Sequence, residues 1–131
     1  MAAVDPQERI MRIAVTSKGT DLQAAVDPRF GRAAYILVVD SETRDVEVID
    51  NQKNAEAFKG AGIQAAAGLS DRKVDVLLTG YCGPNAFKTL QVAGIRVAND
   101  ANTFGTVEAA VEAFTLGRLS FITEANVEAH W

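Results

Sequence analysis

The residues best suited to bind a ligand are two arginines on a turn early in the chain. Arg29 and Arg32 lie three positions apart in the segment 27–33, where Pro28 and Gly31 are typical of a turn. A guanidinium group on a rigid turn is well suited to an anion, because its planar donors match anionic oxygens. The alternative is a pair of solvated surface arginines, and this segment alone leaves both interpretations open.

The acidic character of the whole chain makes a local group of cations more informative. The 131 residues carry 17 acidic and 13 basic side chains, for a net charge of −4. General binding of nucleic acid through a basic face is therefore not expected. Ser17 and Lys18 follow the first predicted strand, so Lys18 would join Arg29 and Arg32 around one cleft. Three such cations predict an anionic ligand.

A second candidate is the turn Gly80-Tyr81-Cys82-Gly83, which precedes a helix beginning at Pro84. Backbone N–H groups at a helix N-terminus attract anions, although an ordinary strand-to-helix connection has the same pattern. The position favours a thiolate at Cys82, which makes this residue a candidate ligand for a soft metal or a redox thiol. The alternative is that Cys82 is a small buried apolar residue, as free cysteines commonly are.

The sequence lacks the residues that several classes of enzyme and metal site require. Cys82 is the only cysteine, so the chain has neither an internal disulfide nor a thiolate set for an iron–sulfur centre. The only histidine, His130, is next to the C-terminus, and no Ser-His-Asp spacing, P-loop or metal-ligand spacing is present. A nuclease with two metal ions needs converging carboxylates, whereas Asp75 begins its strand, away from the expected cleft.

Apolar periodicity predicts five strands and three helices in the order β-β-β-α-β-α-β-α. The strands are expected at 11–16, 33–39, 46–49, 74–79 and 95–98, and the helices at 61–70, 84–93 and 106–117. The first helix should bury a face containing Ile63, Ala66 and Ala67. The polar segment Asn51–Gly60 is expected to be a loop.

This order predicts an α/β protein with a ribonuclease-H-like three-layer fold. Three early strands form a meander, and two βα units then require parallel strands and right-handed crossovers. The result is a mixed five-stranded sheet with helices on both faces, and with the first strand at its centre. The switch point between the first and fourth strands is where open α/β sheets bind ligands. Both candidate segments lie at that end of the sheet.

The length indicates one domain, which we place at residues 11–119. Residues 1–10 are expected to be a leader or tag, and residues 120–131 a C-terminal tail. The sequence shows neither a signal-peptide pattern nor an apolar run of membrane-spanning length. These features favour a cytoplasmic protein.

The chain from Met11 to about Leu119 resembles the nitrogenase iron-molybdenum cofactor biosynthesis family, which includes NifX-type carriers and the C-terminal domain of NifB. The resemblance depends on the order and spacing of several motifs, and no single motif is diagnostic. They are Phe30-Gly31-Arg32-Ala33, Gly62 to Leu69, Val74 to Gly80, Gly83-Pro84-Asn85-Ala86, Leu90, Ala93 to Val97 and Thr106 to Ala110. Within the family, the run 25–35 and the ending 126–131 are most similar to members that bind a molybdenum–copper sulfide cluster.

The resemblance implies a cytoplasmic, non-enzymatic carrier that holds a mixed molybdenum–copper sulfide cluster without covalent attachment. Some carriers in the family have a histidine immediately before the Phe-Gly pair, where this chain has Arg29. Arginine stays protonated and is not an ordinary metal ligand, so ion pairing with a polyanionic cluster is expected instead. Phe30, Tyr81 and Phe104 would shield the cluster from water.

These observations predict a cofactor-binding site with no catalytic residues. Its residues are Ser17, Lys18, Arg29, Phe30, Arg32, Gly80, Tyr81, Cys82 and Gly83, with Cys82 as a candidate metal ligand. Two alternatives from other classes stay open. One is a regulatory module for a small phosphorylated ligand, and the other is a ribonuclease-H-like hydrolase. No delivery or acceptor protein can be named from the sequence.

Overall fold

A computed structural model describes residues 10–56 and 60–122. It contains five strands, four α-helices and one 3-10 helix in that part of the chain. The strands are β1 (Arg12–Ser17), β2 (Tyr35–Asp40), β3 (Val46–Asp50), β4 (Val76–Leu78) and β5 (Arg96–Ala98). The helices are α1 (Gln52–Ala55), α2 (Ala61–Asp71), α3 (Pro84–Val92) and α4 (Val107–Thr115), with the 3-10 helix at Ala101–Phe104.

The strands form one mixed sheet in the order β3-β2-β1-β4-β5. β1 pairs antiparallel with β2 and parallel with β4, and β2 pairs antiparallel with β3. β4 and β5 are parallel. The predicted α/β class, the hairpin of early strands and the mixed five-stranded sheet are thereby confirmed. Because β1 and β4 are parallel neighbours, their carboxyl ends meet at the same edge of the sheet.

Helices cover both faces of this sheet, because successive strand residues point to opposite sides. On one face, Ala14, Ile36 and Leu77 pack against α2 and α3 through Leu69 and Leu90. On the other face, Val15, Leu37 and Leu78 pack against α4 through Val107 and Val111. The apolar runs of the strands therefore reflect burial on two sides.

Local signals in the sequence set the ends of the later helices. Pro84 occupies the first turn of α3, where its missing N–H costs no hydrogen bond. Gly94 follows α3 with a φ of 78°, a conformation that favours glycine. Thr106 caps α4, since its side chain accepts the backbone N–H of Ala109 at 3.1 Å.

Two expectations about the middle of the chain are wrong. Part of the expected loop 51–60 is the short helix α1, which follows β3 directly. In α2, Ile63 is 42% exposed, whereas Ala61, Ala65, Ala66 and Leu69 are buried. The cause is the packing of α2 on α3, because a Cβ on Gly62 would lie 2.8 Å from the Cβ of Ala86. No larger side chain fits at position 62, so the start of α2 packs through small residues, and Leu69 fills the core near its end.

The chain after α4 returns to the edge of the sheet. The backbone N–H of Ile122 donates to the carbonyl of Val97 at 2.8 Å. The guanidinium of Arg96 lies 3.6 Å from the centroid of the Phe121 ring, a cation–π geometry. Most of the expected leader and the tail from residue 123 onward, with His130, lie outside the described residues. None of the helices in the described part combines the length and apolarity that a membrane span requires.

Candidate functional site

The arginine-bearing segment, which we call the arginine loop (residues 27–33), is fixed to the end of β1. The backbone N–H of Asp27 donates to the carbonyl of Thr16 at 2.9 Å. In return, the Thr16 hydroxyl donates to the carbonyl of Asp27 at 2.5 Å, and it is also hydrogen-bonded to the Thr79 hydroxyl at 2.9 Å. All three residues are buried, so this polar network joins the loop to β1 and to the end of β4.

The arginine loop also pairs with the turn after β4, at the end of the sheet where both segments are predicted to lie. The carbonyl of Pro28 accepts the N–H groups of Gly80 at 3.1 Å and of Tyr81 at 2.6 Å. The N–H of Phe30 donates to the carbonyl of Tyr81 at 3.0 Å, and Arg29 and Tyr81 form an isolated parallel bridge. The two candidate segments are therefore in direct contact, although about fifty residues separate them in sequence.

These hydrogen bonds correct one part of the predicted site. Gly80 and Tyr81 were expected to offer backbone N–H groups to an anion, but both groups donate to Pro28. Their role is to hold the arginine loop. Gly80 is required there by close approach, since a Cβ would lie 2.7 Å from the Pro28 Cβ, 2.8 Å from its carbonyl oxygen and 2.7 Å from Oδ1 of Asn102.

Arg29 is the exposed cation of the arginine loop. Its side chain is 51% exposed, and its Nε lies 3.5 Å from Oδ1 of Asp27, whose side chain is 5% exposed. The same oxygen accepts the backbone N–H of Arg29 at 3.0 Å. Asp27 therefore fixes the backbone of Arg29, while much of the guanidinium stays accessible to a ligand.

Arg32 has a different environment. Its Nη1 donates to the carbonyl of Ala55, the last residue of α1, at 3.0 Å, and the residue is partly buried. A cation at this position is favoured because the carbonyl ends of a helix carry partial negative charge. The neighbouring backbone is held by Asn51, whose side-chain amide donates to the carbonyls of Gly31 at 3.2 Å and Ala33 at 2.9 Å.

Ser17 and Lys18 lie at the same end of the sheet and differ in accessibility. The buried Ser17 hydroxyl donates to the carbonyl of Gly19 at 2.8 Å and accepts its N–H at 3.1 Å. Ser17 therefore stabilises its own turn. Lys18 is exposed, and its backbone N–H donates to the carbonyl of Ala25 at 2.9 Å. Lys18 therefore leaves its cationic side chain in solvent beside the start of the loop.

The aromatic residues of the predicted site also differ in their accessibility to solvent. Phe30 is only 6% exposed and belongs to the core beneath α2 and α3, so little of its ring is accessible to a ligand. It anchors the arginine loop from below. Tyr81 is 39% exposed beside Arg29, and Phe104 is partly buried. Tyr81 is therefore the exposed aromatic surface next to the exposed arginine.

Cys82 lies in the same core and not on the surface. It is 1% exposed, and burial raises the pKa of its thiol to about 12. This direction is the opposite of the thiolate that its place before α3 predicts, because desolvation disfavours the charged form. The structure favours the alternative interpretation, in which Cys82 is a small apolar core residue. Gly83, the N-cap of α3, has an extended backbone with a φ of −71°.

Three residues that position the site were not identified from the sequence: Thr16, Asp27 and Asn51. Asp27 had a usable signal, since an aspartate before Pro28 commonly begins a turn. Thr16 had a weaker signal, a hydroxyl at the end of an apolar strand. The role of Asn51 depends on contacts about twenty residues away, which the local sequence does not indicate.

The chain is similar to a known family and to several solved structures over most of its length. The family model for dinitrogenase iron-molybdenum cofactor proteins matches residues 10–117. The apo form of the orange protein from Desulfovibrio gigas is 45% identical, with a TM-score of 0.86 and coverage of 91% of this chain and 98% of that one. An NMR structure of a NifB-type protein from Thermotoga is 38% identical, with a TM-score of 0.77 and coverage of 89% and 97%. No curated protein gives a significant match.

The matches extend over the sheet, the arginine loop and the turn after β4. They confirm the resemblance that the spaced motifs predict. The chain belongs to the dinitrogenase iron-molybdenum cofactor family.

Proposed function

We propose that this protein is a non-enzymatic carrier of an anionic metal–sulfur cluster, and that its cargo is a molybdenum–copper sulfide cluster held without covalent bonds. Family membership supports the cluster class, because the family is named for the iron-molybdenum cofactor of dinitrogenase. The similarity to the orange protein supports it as well, since that protein has a structure described as its apo form. The domain limits 11–119 and the ribonuclease-H-like classification are proposed on the same basis.

The observation that carries the proposal is the position of Arg29. Its half-exposed side chain lies on a loop that is hydrogen-bonded to the end of β1 and to the turn after β4. A cation on a preorganised backbone loses little conformational freedom when an anion binds. Lys18 adds exposed positive charge at the same end of the sheet, in a chain whose net charge is −4.

The chemistry of the described side chains fits a cluster that brings its own sulfide ligands. Within residues 10–56 and 60–122, no three His, Cys, Asp or Glu side chains are grouped so that they could hold a metal ion. Cys82 is buried with a raised pKa and does not fit a copper ligand. Guanidinium and ammonium groups bind a polyanion through charge and hydrogen bonds, and the exposed ring of Tyr81 offers an apolar contact to weakly hydrated sulfur.

The test is reconstitution of the purified full chain with tetrathiomolybdate and a copper salt, followed by removal of free metal, visible spectroscopy and metal analysis. We expect a coloured protein that contains molybdenum, copper and sulfide. The double variant Arg29→Ala/Arg32→Ala should lose most of the colour. The matched control is Lys88→Ala/Arg118→Ala, which removes two exposed cations elsewhere and should retain it. Equal colour in both double variants would show that this site is wrong.

The alternative ligand of the same site is a small phosphorylated molecule, since arginine recognises phosphate equally well. A protein that binds no molybdenum after reconstitution but binds inorganic phosphate through Arg29 would favour that alternative. A hydrolase has less support, because Asp75 lies at the opposite end of β4 and its Oδ2 accepts the N–H of Arg12 at 2.9 Å.

A further inference from the structure

Asp27 is a buried carboxylate that lies directly beneath the exposed arginine of the loop. The residue is 3% exposed, and its backbone is hydrogen-bonded to Thr16 in both directions. Its Oδ1 accepts the N–H of Arg29 at 3.0 Å and lies 3.5 Å from Nε of the same residue. The position of this negative charge relative to Arg29 is therefore fixed by the fold.

This geometry has two effects on an anion at Arg29, and they act in opposite directions. The carboxylate orients the backbone and side chain of Arg29, which favours binding. Its negative charge also offsets the positive charge of the guanidinium, which disfavours an anion. An asparagine would close the same turn through its carbonyl oxygen without the charge. The carboxylate is thus not required for the turn itself.

We propose that Asp27 is a positioning residue for Arg29 that also limits the affinity of the site for its anionic cargo. The inference rests on the proposed function, because it concerns how tightly the same site holds an anion. A carrier has to release its cargo, and a fixed carboxylate beside the binding cation keeps the complex weaker than the arginine alone would make it.

The size of the effect follows from Coulomb's law. For a dianion about 8 Å from the carboxylate, removing one negative charge strengthens binding about sixfold in water at low ionic strength. At physiological salt, where the screening length is also about 8 Å, the gain falls to about twofold. A purely structural role predicts no gain at either salt concentration.

The experiment titrates tetrathiomolybdate alone, a dianion, into the full chain and its variants at low and at physiological salt. Asp27→Asn should bind more tightly than the parent, by about sixfold and about twofold respectively. Asp27→Ala removes the acceptor for Arg29 as well, and should bind more weakly than Asp27→Asn. The matched control is Asp21→Asn, since Asp21 closes a comparable but exposed turn onto the N–H of Gln23 and, among the described residues, forms no hydrogen bond or ion pair with Arg29.

The outcomes separate this inference from the proposed function. A parent protein that binds no tetrathiomolybdate contradicts the proposed function. If the parent protein binds tetrathiomolybdate but Asp27→Asn gains no affinity at low salt, or Asp21→Asn gains as much, the inference about Asp27 is overturned and the proposed function is not. Equal affinities for Asp27→Asn and Asp27→Ala overturn the positioning effect. Circular dichroism checks folding, and Asp27→Ser, which keeps a side-chain acceptor, replaces Asp27→Asn if that variant does not fold.

Discussion

Replacing Gly80 by alanine tests whether the arginine loop depends on its close contact with the turn after β4. The new Cβ would lie 2.7 Å from the Cβ of Pro28 and 2.8 Å from its carbonyl oxygen. The loop would have to retreat by about 0.7 Å to reach ordinary contact, and overpacking of this kind costs about 1–3 kcal/mol. The same carbonyl accepts two N–H groups, so the movement weakens both hydrogen bonds, at a further cost of about 1 kcal/mol for the two together.

We therefore expect Gly80→Ala to lower the free energy of unfolding by about 2–4 kcal/mol, a large part of the 5–15 kcal/mol typical of a domain. For a chain of this size, the melting temperature should fall by about 10 °C. Displacement of Arg29 should also weaken cluster binding. The assays are thermal unfolding followed by circular dichroism, and reconstitution with tetrathiomolybdate and copper.

The matched control is Gly68→Ala in α2. Its Cβ would meet only the flexible Arg72 side chain at 3.8 Å, so alanine should stabilise the helix by about 0.5–1 kcal/mol. If Gly80→Ala melts within about 2 °C of the parent and binds the cluster equally well, the contact between the two loops does not position the site.

Three further predictions concern the core, a helix cap and the surface charges. Cys82→Ala should retain full cluster binding, and loss of the cluster absorbance in this variant would instead indicate that Cys82 is a metal ligand. In the native protein the thiol should react with maleimide far more slowly at pH 8 than after unfolding, because burial raises its pKa to about 12. Thr106→Ala removes the cap of α4 and should cost about 1 kcal/mol in denaturant unfolding, whereas an unchanged midpoint would mean that the cap is not needed. Arg12 and Arg72 lower the pKa of Glu47 by hydrogen bonding to its carboxylate. These two contacts stabilise the folded state fully above the ordinary pKa of glutamate. The stabilisation is lost as the pH falls through the lowered pKa. Since the side chains of Arg12, Glu47 and Arg72 are partly exposed, Glu47→Gln should lower the free energy of unfolding by less than about 1 kcal/mol at pH 7. The variant should also lose less stability than the parent on acidification below about pH 4. Identical profiles of stability against pH would contradict this.

The sequence by itself determined the elements whose signals are local. Alternating apolar residues defined β1, and Pro84, Gly94 and Thr106 marked helix ends, because these signals act within one turn of the chain. The types of residue around Arg29 also indicated an anionic ligand. In α2, by contrast, the near-uniform small apolar composition left the buried face undefined, and packing against α3 decided it.

Only the tertiary structure decided which groups of the site stay accessible. The N–H groups of Gly80 and Tyr81 have the same chemistry whether they face an anion or the carbonyl of Pro28, and the choice depends on contacts between distant segments. Burial likewise separated Phe30 and Cys82, which anchor the core, from Arg29 and Tyr81, which remain exposed. A sequence specifies the chemistry of each side chain, whereas desolvation and hydrogen-bond partners arise only when segments about fifty residues apart come into contact.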